Sequence, residues 1–167
     1  MKMIYRCPLS CVILLLCLFP KPAFAHCQIP CGLYDDDVRF KLIHEHITTL
    51  EKSISMIKEL SAEGEKNYNQ IIRWVNNKDK HADEIQEIVT QYFMTQRLKP
   101  TEAGDKAAQE KYVRELILLH KLLIAAMKTK QTVDLENTQT LHNLLEEFKT
   151  SYLGEGKGAA KETPQAK

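Results

Sequence analysis

Phe40, Ile43, Ile47, Leu50, Ile54 and Ile57 recur at steps of three and four, and no other feature limits the possible folds of this chain so strongly. Such steps bring side chains onto one face of an α-helix, whereas a half-buried strand needs strict alternation. Asp35-Asp36-Asp37 supplies carboxylates for the first free amides and the positive end of the helix dipole. A helix is therefore predicted from there to about Ala62, ended by Gly64.

A second segment carries Tyr68, Ile72, Val75, Ala82, Ile85, Val89, Tyr92 and Phe93 around a polar middle, Asn76-Asn77-Lys78-Asp79-Lys80. Consecutive asparagines are weak helix formers, which leaves the middle open to interruption. Lys99-Pro100 closes the segment, and residues 101–104 form a short connection. Tyr112, Leu116, Leu119, Leu123 and Ala126 mark a third helix that fades at residues 129–133; Leu141, Leu145, Phe148 and Tyr152 mark a fourth. Residues 154–167 are mostly Gly, Ala, Lys and Glu, with one Pro and no apolar anchors, and read as a disordered tail. The chain is thus expected to be all-α, an antiparallel up-down-up-down four-helix bundle over residues 35–153. Met56, Met94 and Met127 are expected in packing, and Trp74 in the core or at an interface.

Residues 1–25 read as a signal peptide: a basic start, an apolar run from Cys11 to Phe19, and Ala23-Phe24-Ala25, the small-x-small pattern cut by a secretory peptidase. The apolar run is too short to span a bilayer. The expected product is exported, to a periplasm-like or extracellular space, without a membrane anchor. Of 23 Lys and Arg, three (Lys2, Arg6, Lys21) lie in that segment, which has no acidic residue, so the remainder carries 20 basic against 22 acidic side chains. With no basic surplus to neutralise phosphates, nucleic acid is not an expected partner.

Cleavage after Ala25 removes Cys7, Cys11 and Cys17 and leaves Cys27 and Cys31. In an exported chain a lone pair suggests a disulfide. A bridge across three residues including Pro30 would constrain little of the unfolded chain, and metal binding is an equal alternative. Cleavage there also makes His26 the N-terminus, adding a free amine beside its imidazole. The amine, the deprotonated Cys27 amide and the Cys27 sulfur close two five-membered chelate rings, and Cys31 can complete a nitrogen-and-sulfur square plane. Nickel(II) and copper(II) prefer that geometry and zinc does not. The imidazole can swing over the plane as a fifth donor, and the anionic donors favour a higher oxidation state.

His44 and His46, two apart on a helix, do not form a chelating pair, and His81, His120 and His142 are isolated along the sequence. Glu45, Glu146 and Glu147 lack the Glu-x-x-His companions of a di-iron bundle. His81, His120 and His142 each read as a surface or satisfied bundle residue.

The stretch His26-Cys27-x-x-Pro30-Cys31-Gly32-x-Tyr34 resembles the nickel hook of nickel-type superoxide dismutases, and Gln91-Tyr92-Phe93 resembles the family's Tyr-Phe pair near the metal pocket. The resemblance implies a nickel ion held by the amine and imidazole of His26, by Cys27 through amide nitrogen and sulfur, and by Cys31 through sulfur, within a hook at residues 26–34. It implies that Pro30 shapes the turn and that Gly32 allows close backbone approach. Tyr34, otherwise a simple staple to the first helix, would border with Tyr92 the route of superoxide, and the chain would assemble as a homohexamer. Two positions depart from the family. Gln28 stands where many members have an acidic residue. The glutamate that orients the imidazole falls at Leu42, with His44 and Glu45 as neighbouring candidates. A different class of protein, a non-catalytic exported carrier of nickel or copper, would use the same donors. A disulfide-closed helical module would use none.

Overall fold

The structure is a computed structural model that describes Pro30, residues 32–102 and residues 104–154. The expected signal peptide, His26, Cys27, Gln28, Cys31 and the tail beyond Gly154 lie outside the described residues. Two units are distinguished, residues 1–32 and residues 33–167, and the second contains all the helices below.

Those helices are α1 (Asp36–Ala62), α2 (Tyr68–Glu87), α3 (Lys106–Gln131) and α4 (Glu136–Leu153). No strand occurs among the described residues. A 3-10 turn at Glu65–Asn67 precedes α2, and α2 runs directly into a π-helical segment, Ile88–Arg97. α1 packs on α2, α2 on α3, α3 on α4, and α4 returns to α1, so the core lies within a closed ring of helices. The α1 stripe is buried in full: Phe40, Ile43, Ile47, Leu50, Ile54 and Ile57. Each such side chain taken from water stabilises the fold by about 1.5–3 kcal/mol before conformational entropy is counted.

The helix ends follow local chemistry. Asp35 caps α1 by accepting the Val38 amide at 2.9 Å, and Asp105 caps α3 by accepting the Ala108 amide at 3.0 Å. Gly64 and Gly154 end α1 and α4 with φ of +86° and +78°, a left-handed backbone that a Cβ makes costly.

The polar middle of α2 remains helical because its side chains find partners on other helices. Lys78 is 2% exposed and donates its ammonium to the carbonyls of Thr129 and Lys130 at 2.6 and 2.7 Å. It thereby satisfies the acceptors left over at the C-terminus of α3. Asn77 donates to Ser53 Oγ at 3.0 Å.

Other expectations need correcting. Tyr68 and Ile72 are 58% and 60% exposed, because α2 reaches the core only from about Lys78 onward. On α3 the buried face is Leu118, Leu119, Leu122, Ala125 and Ala126, with Leu116 and Leu123 only partly covered. α3 is apolar on several sides, so periodicity alone does not select the face that its neighbours enclose. Met127 is exposed rather than packed. His81, His120 and His142 agree with their reading as surface or satisfied bundle residues: His46 and His81 share a hydrogen bond between Nδ1 atoms at 2.8 Å, the rings of His44 and His142 lie 5.0 Å apart, and His120 is exposed.

Candidate metal centre

Of the residues singled out around the hook, the structure describes Pro30, Gly32, Tyr34 and Tyr92. Pro30 lies in a bend and is half-buried. Gly32 has φ +83°, and no described atom lies within 4 Å of where a Cβ would stand. Its glycine is therefore required by backbone conformation rather than by crowding from described residues.

Tyr34 and Tyr92, 58 positions apart in sequence, are brought together in an edge-to-face contact with centroids 5.9 Å apart and planes at 75°. Tyr92 is buried at 3% exposure and Tyr34 is half-buried. The Arg97 guanidinium lies over the Tyr34 ring at 4.5 Å, and that of Arg39 over the Tyr92 ring at 4.9 Å.

Beneath these contacts is a residue that sequence reading had assigned only to the helix start. Asp36 Oδ1 accepts the Tyr92 hydroxyl at 2.7 Å and Arg97 Nε at 2.8 Å; Oδ2 accepts an Arg97 terminal nitrogen at 2.6 Å and the Tyr152 hydroxyl at 3.1 Å. One carboxylate thus gathers α1, the π-helical segment and α4. The π-helix makes this possible. Residues five apart on an α-helix lie about 140° apart around its axis, but the wider turn returns Tyr92 and Arg97 to the same side. Hydrogen bonds of matching span hold the widened turns: Thr95 Oγ1 to the Thr90 carbonyl at 2.7 Å, Gln96 Nε2 to Gln91 at 2.9 Å, and the Leu98 amide to Phe93 at 2.8 Å. Below the cluster, Phe40, Phe93, Phe148 and Tyr152 pack ring against ring at 5.0–6.1 Å.

The electrostatics follow from this geometry. Burial alone would raise the Asp36 carboxyl, but hydrogen bonds from Arg97, Tyr92 and Tyr152 and the Arg97 charge outweigh it and hold the group below its usual range. Burial, then the bond to Asp36, pushes Tyr92 upward; burial and the Asp36 charge push Tyr152 up to about 12. The bond to Asp36 raises Arg97 further. At neutral pH the cluster is one carboxylate, one guanidinium and two neutral phenols, suited to fixing ring positions rather than to releasing protons.

His44 and Glu45 are exposed and line a groove between α1 and α4 with Lys41, Thr48, Glu146 and Lys149. Leu42, at the position of the family's glutamate, is half-buried. Among the described residues no group of three or more His, Cys, Asp or Glu side chains is gathered as a metal site.

The described structure is an all-α protein, and a histidine-and-dithiol segment precedes its first helix in the chain. The profile of nickel-containing superoxide dismutase matches residues 21–155, a span that includes both the donor segment and all four helices, and the chain belongs to that family. It is accordingly an enzyme, an oxidoreductase that uses nickel and acts on superoxide. No significant match was found among curated proteins or among solved structures. The donor chemistry of residues 26–31, an imidazole and two thiols, fits nickel.

Proposed function

We propose that removal of residues 1–25 frees His26 and that the matured hook, residues 26–34, is the dismutation centre, converting two superoxide anions and two protons to dioxygen and hydrogen peroxide. The observation that carries this reading is the family match across residues 21–155, within which His26, Cys27 and Cys31 keep the hook's order and spacing. Nickel held by these residues would supply a couple between nickel(II) and nickel(III) able to oxidise one superoxide and reduce the next. The chain supplies the donors: His26 through amine and imidazole, Cys27 through amide nitrogen and thiolate, Cys31 through thiolate. Pro30 and Gly32 would shape the turn of the hook, and Gln28 would supply a neutral side chain where many members of the family carry an acidic one. Tyr34 and Tyr92 would border the approach of superoxide.

The rest of the proposal concerns how the enzyme is deployed. The helices run up-down-up-down, supported by connections of only a few residues between them. Six copies assemble by family resemblance, and the exposed Val113, Ile117 and Ile124 of α3 offer apolar surface for such contact. The signal peptide directs the product to a periplasmic or extracellular space.

The test is turnover by the nickel-loaded mature chain, its N-terminus verified by mass, against the same chain with one residue added ahead of His26. The extension turns the amine into an ordinary peptide amide, so dismutation is expected to vanish while nickel-free helicity by circular dichroism is unchanged. Full activity in the verified extended protein would sink the hook mechanism, and nickel binding without turnover in the mature chain would favour a carrier.

A further inference from the structure

We propose that Asp36 is a positioning residue for dismutation: its carboxylate holds Tyr92 directly and Tyr34 through Arg97. The inference rests on the reading above that these two rings border the superoxide approach.

Three observations support it. First, the Tyr34 ring touches two described partners, the edge of Tyr92 and the plate of Arg97, and Asp36 holds both. Second, Asp36 is not needed for the tasks that an acidic residue at a helix start ordinarily serves. Asp35 makes the cap, and Asp37 places a further carboxylate in the first turn, exposed to solvent. The Asp36 side chain turns inward, where it takes four donor contacts from three residues. Third, those donors arrive on separate elements: Tyr92 and Arg97 on the π-helical segment, and Tyr152 on the last turn of α4. Pinning the π-helical segment and α4 to the first turn of α1 makes the position of Tyr34, two residues upstream, a consequence of one side chain. The forked, charge-assisted pair of Arg97 and Asp36 also fixes the plane of the guanidinium, and a fixed plane is what orients a stacked ring.

The test compares wild type and Asp36→Asn as processed, nickel-loaded full-length mature proteins. Asparagine fills the same space and still accepts one hydroxyl, but it loses the charge and one acceptor of the fork. Nickel content and helicity are expected to be unchanged. Tyrosinate absorbance should develop at lower pH than in wild type, showing that the clamp has opened, and kcat/KM for superoxide should fall about tenfold. Asp36→Glu, which restores the charge, should recover part of the loss. An Asp36→Asn protein with lowered tyrosine titration and kcat/KM within about twofold of wild type would reduce Asp36 to a staple of the bundle and overturn the proposal. If Asp36→Asn does not fold, Arg97→Lys decides: it keeps the ion pair but removes the plate over Tyr34. A several-fold loss with normal nickel content supports the proposal, and unchanged turnover overturns it. Nickel-loaded wild type without turnover would instead overturn the enzyme reading on which the proposal stands, a result seen before any variant is compared.

Discussion

Asp36 and Lys78 are both charged groups drawn largely out of water, and the bundle satisfies them in opposite ways. Lys78 presents its ammonium to backbone carbonyls at the end of α3, with Asp79 at 3.2 Å as its only ion-pair partner among the described residues. Those carbonyls exist whatever side chains α3 carries. Asp36 is satisfied by side chains alone, Tyr92, Arg97 and Tyr152, each of which must be of the right type and on the right face. A backbone-satisfied charge ties the fold together and tolerates change around it. A side-chain-satisfied charge specifies its neighbours, which is what an ordered pair of pocket rings requires.

The difference can be broken by truncation. Asp36→Ala strands a guanidinium and two phenol donors and is expected to cost about 3 kcal/mol of unfolding free energy. Lys78→Met keeps the stem, orphans two neutral carbonyls and leaves the half-exposed Asp79 carboxylate without its cation, but it also relieves a buried ammonium, so about 1 kcal/mol is expected. Denaturant unfolding of both variants checks the order, and a larger loss for Lys78→Met would refute the contrast.

Titration sharpens the same comparison. Asp36 is held below its ordinary 3.8, so its contribution is present above that value and lost as pH falls through the lower folded value. Tyr152 moves from 10.0 up to about 12, so its contribution is present below pH 10 and lost as pH rises through the folded value. Thermal midpoints of wild type should therefore fall at both extremes, and both limbs should shrink in Asp36→Asn.

The smallest expected effect lies at the exposed start of α2. Ile72→Gln should shift unfolding by less than about 0.5 kcal/mol, since Ile72 is 60% exposed. A larger shift, read at several protein concentrations, would mean that another copy of the chain covers this face.

What could be read from the sequence depended on how far apart the interacting residues lie. The α1 stripe, the acidic start of α1 at Asp35, the stop at Gly64 and the order of donors from His26 to Cys31 are each written within a few consecutive residues, where helical period and chelate-ring size are local physics. The match of residues 21–155 shows the nickel enzyme family that the same stretch resembles. The bonds from Asp36 to Tyr92, Arg97 and Tyr152 span 56, 61 and 116 positions, and the histidines that looked isolated pair across helices, His46 with His81 over 35 positions. The core face of α3 and the burial of Lys78 likewise depended on which helices enclose them. No periodicity encodes such meetings. They require the register of one helix against another, and for Tyr92 and Arg97 a change of helical turn, which packing of the whole bundle selects among backbones that the local sequence leaves close in energy.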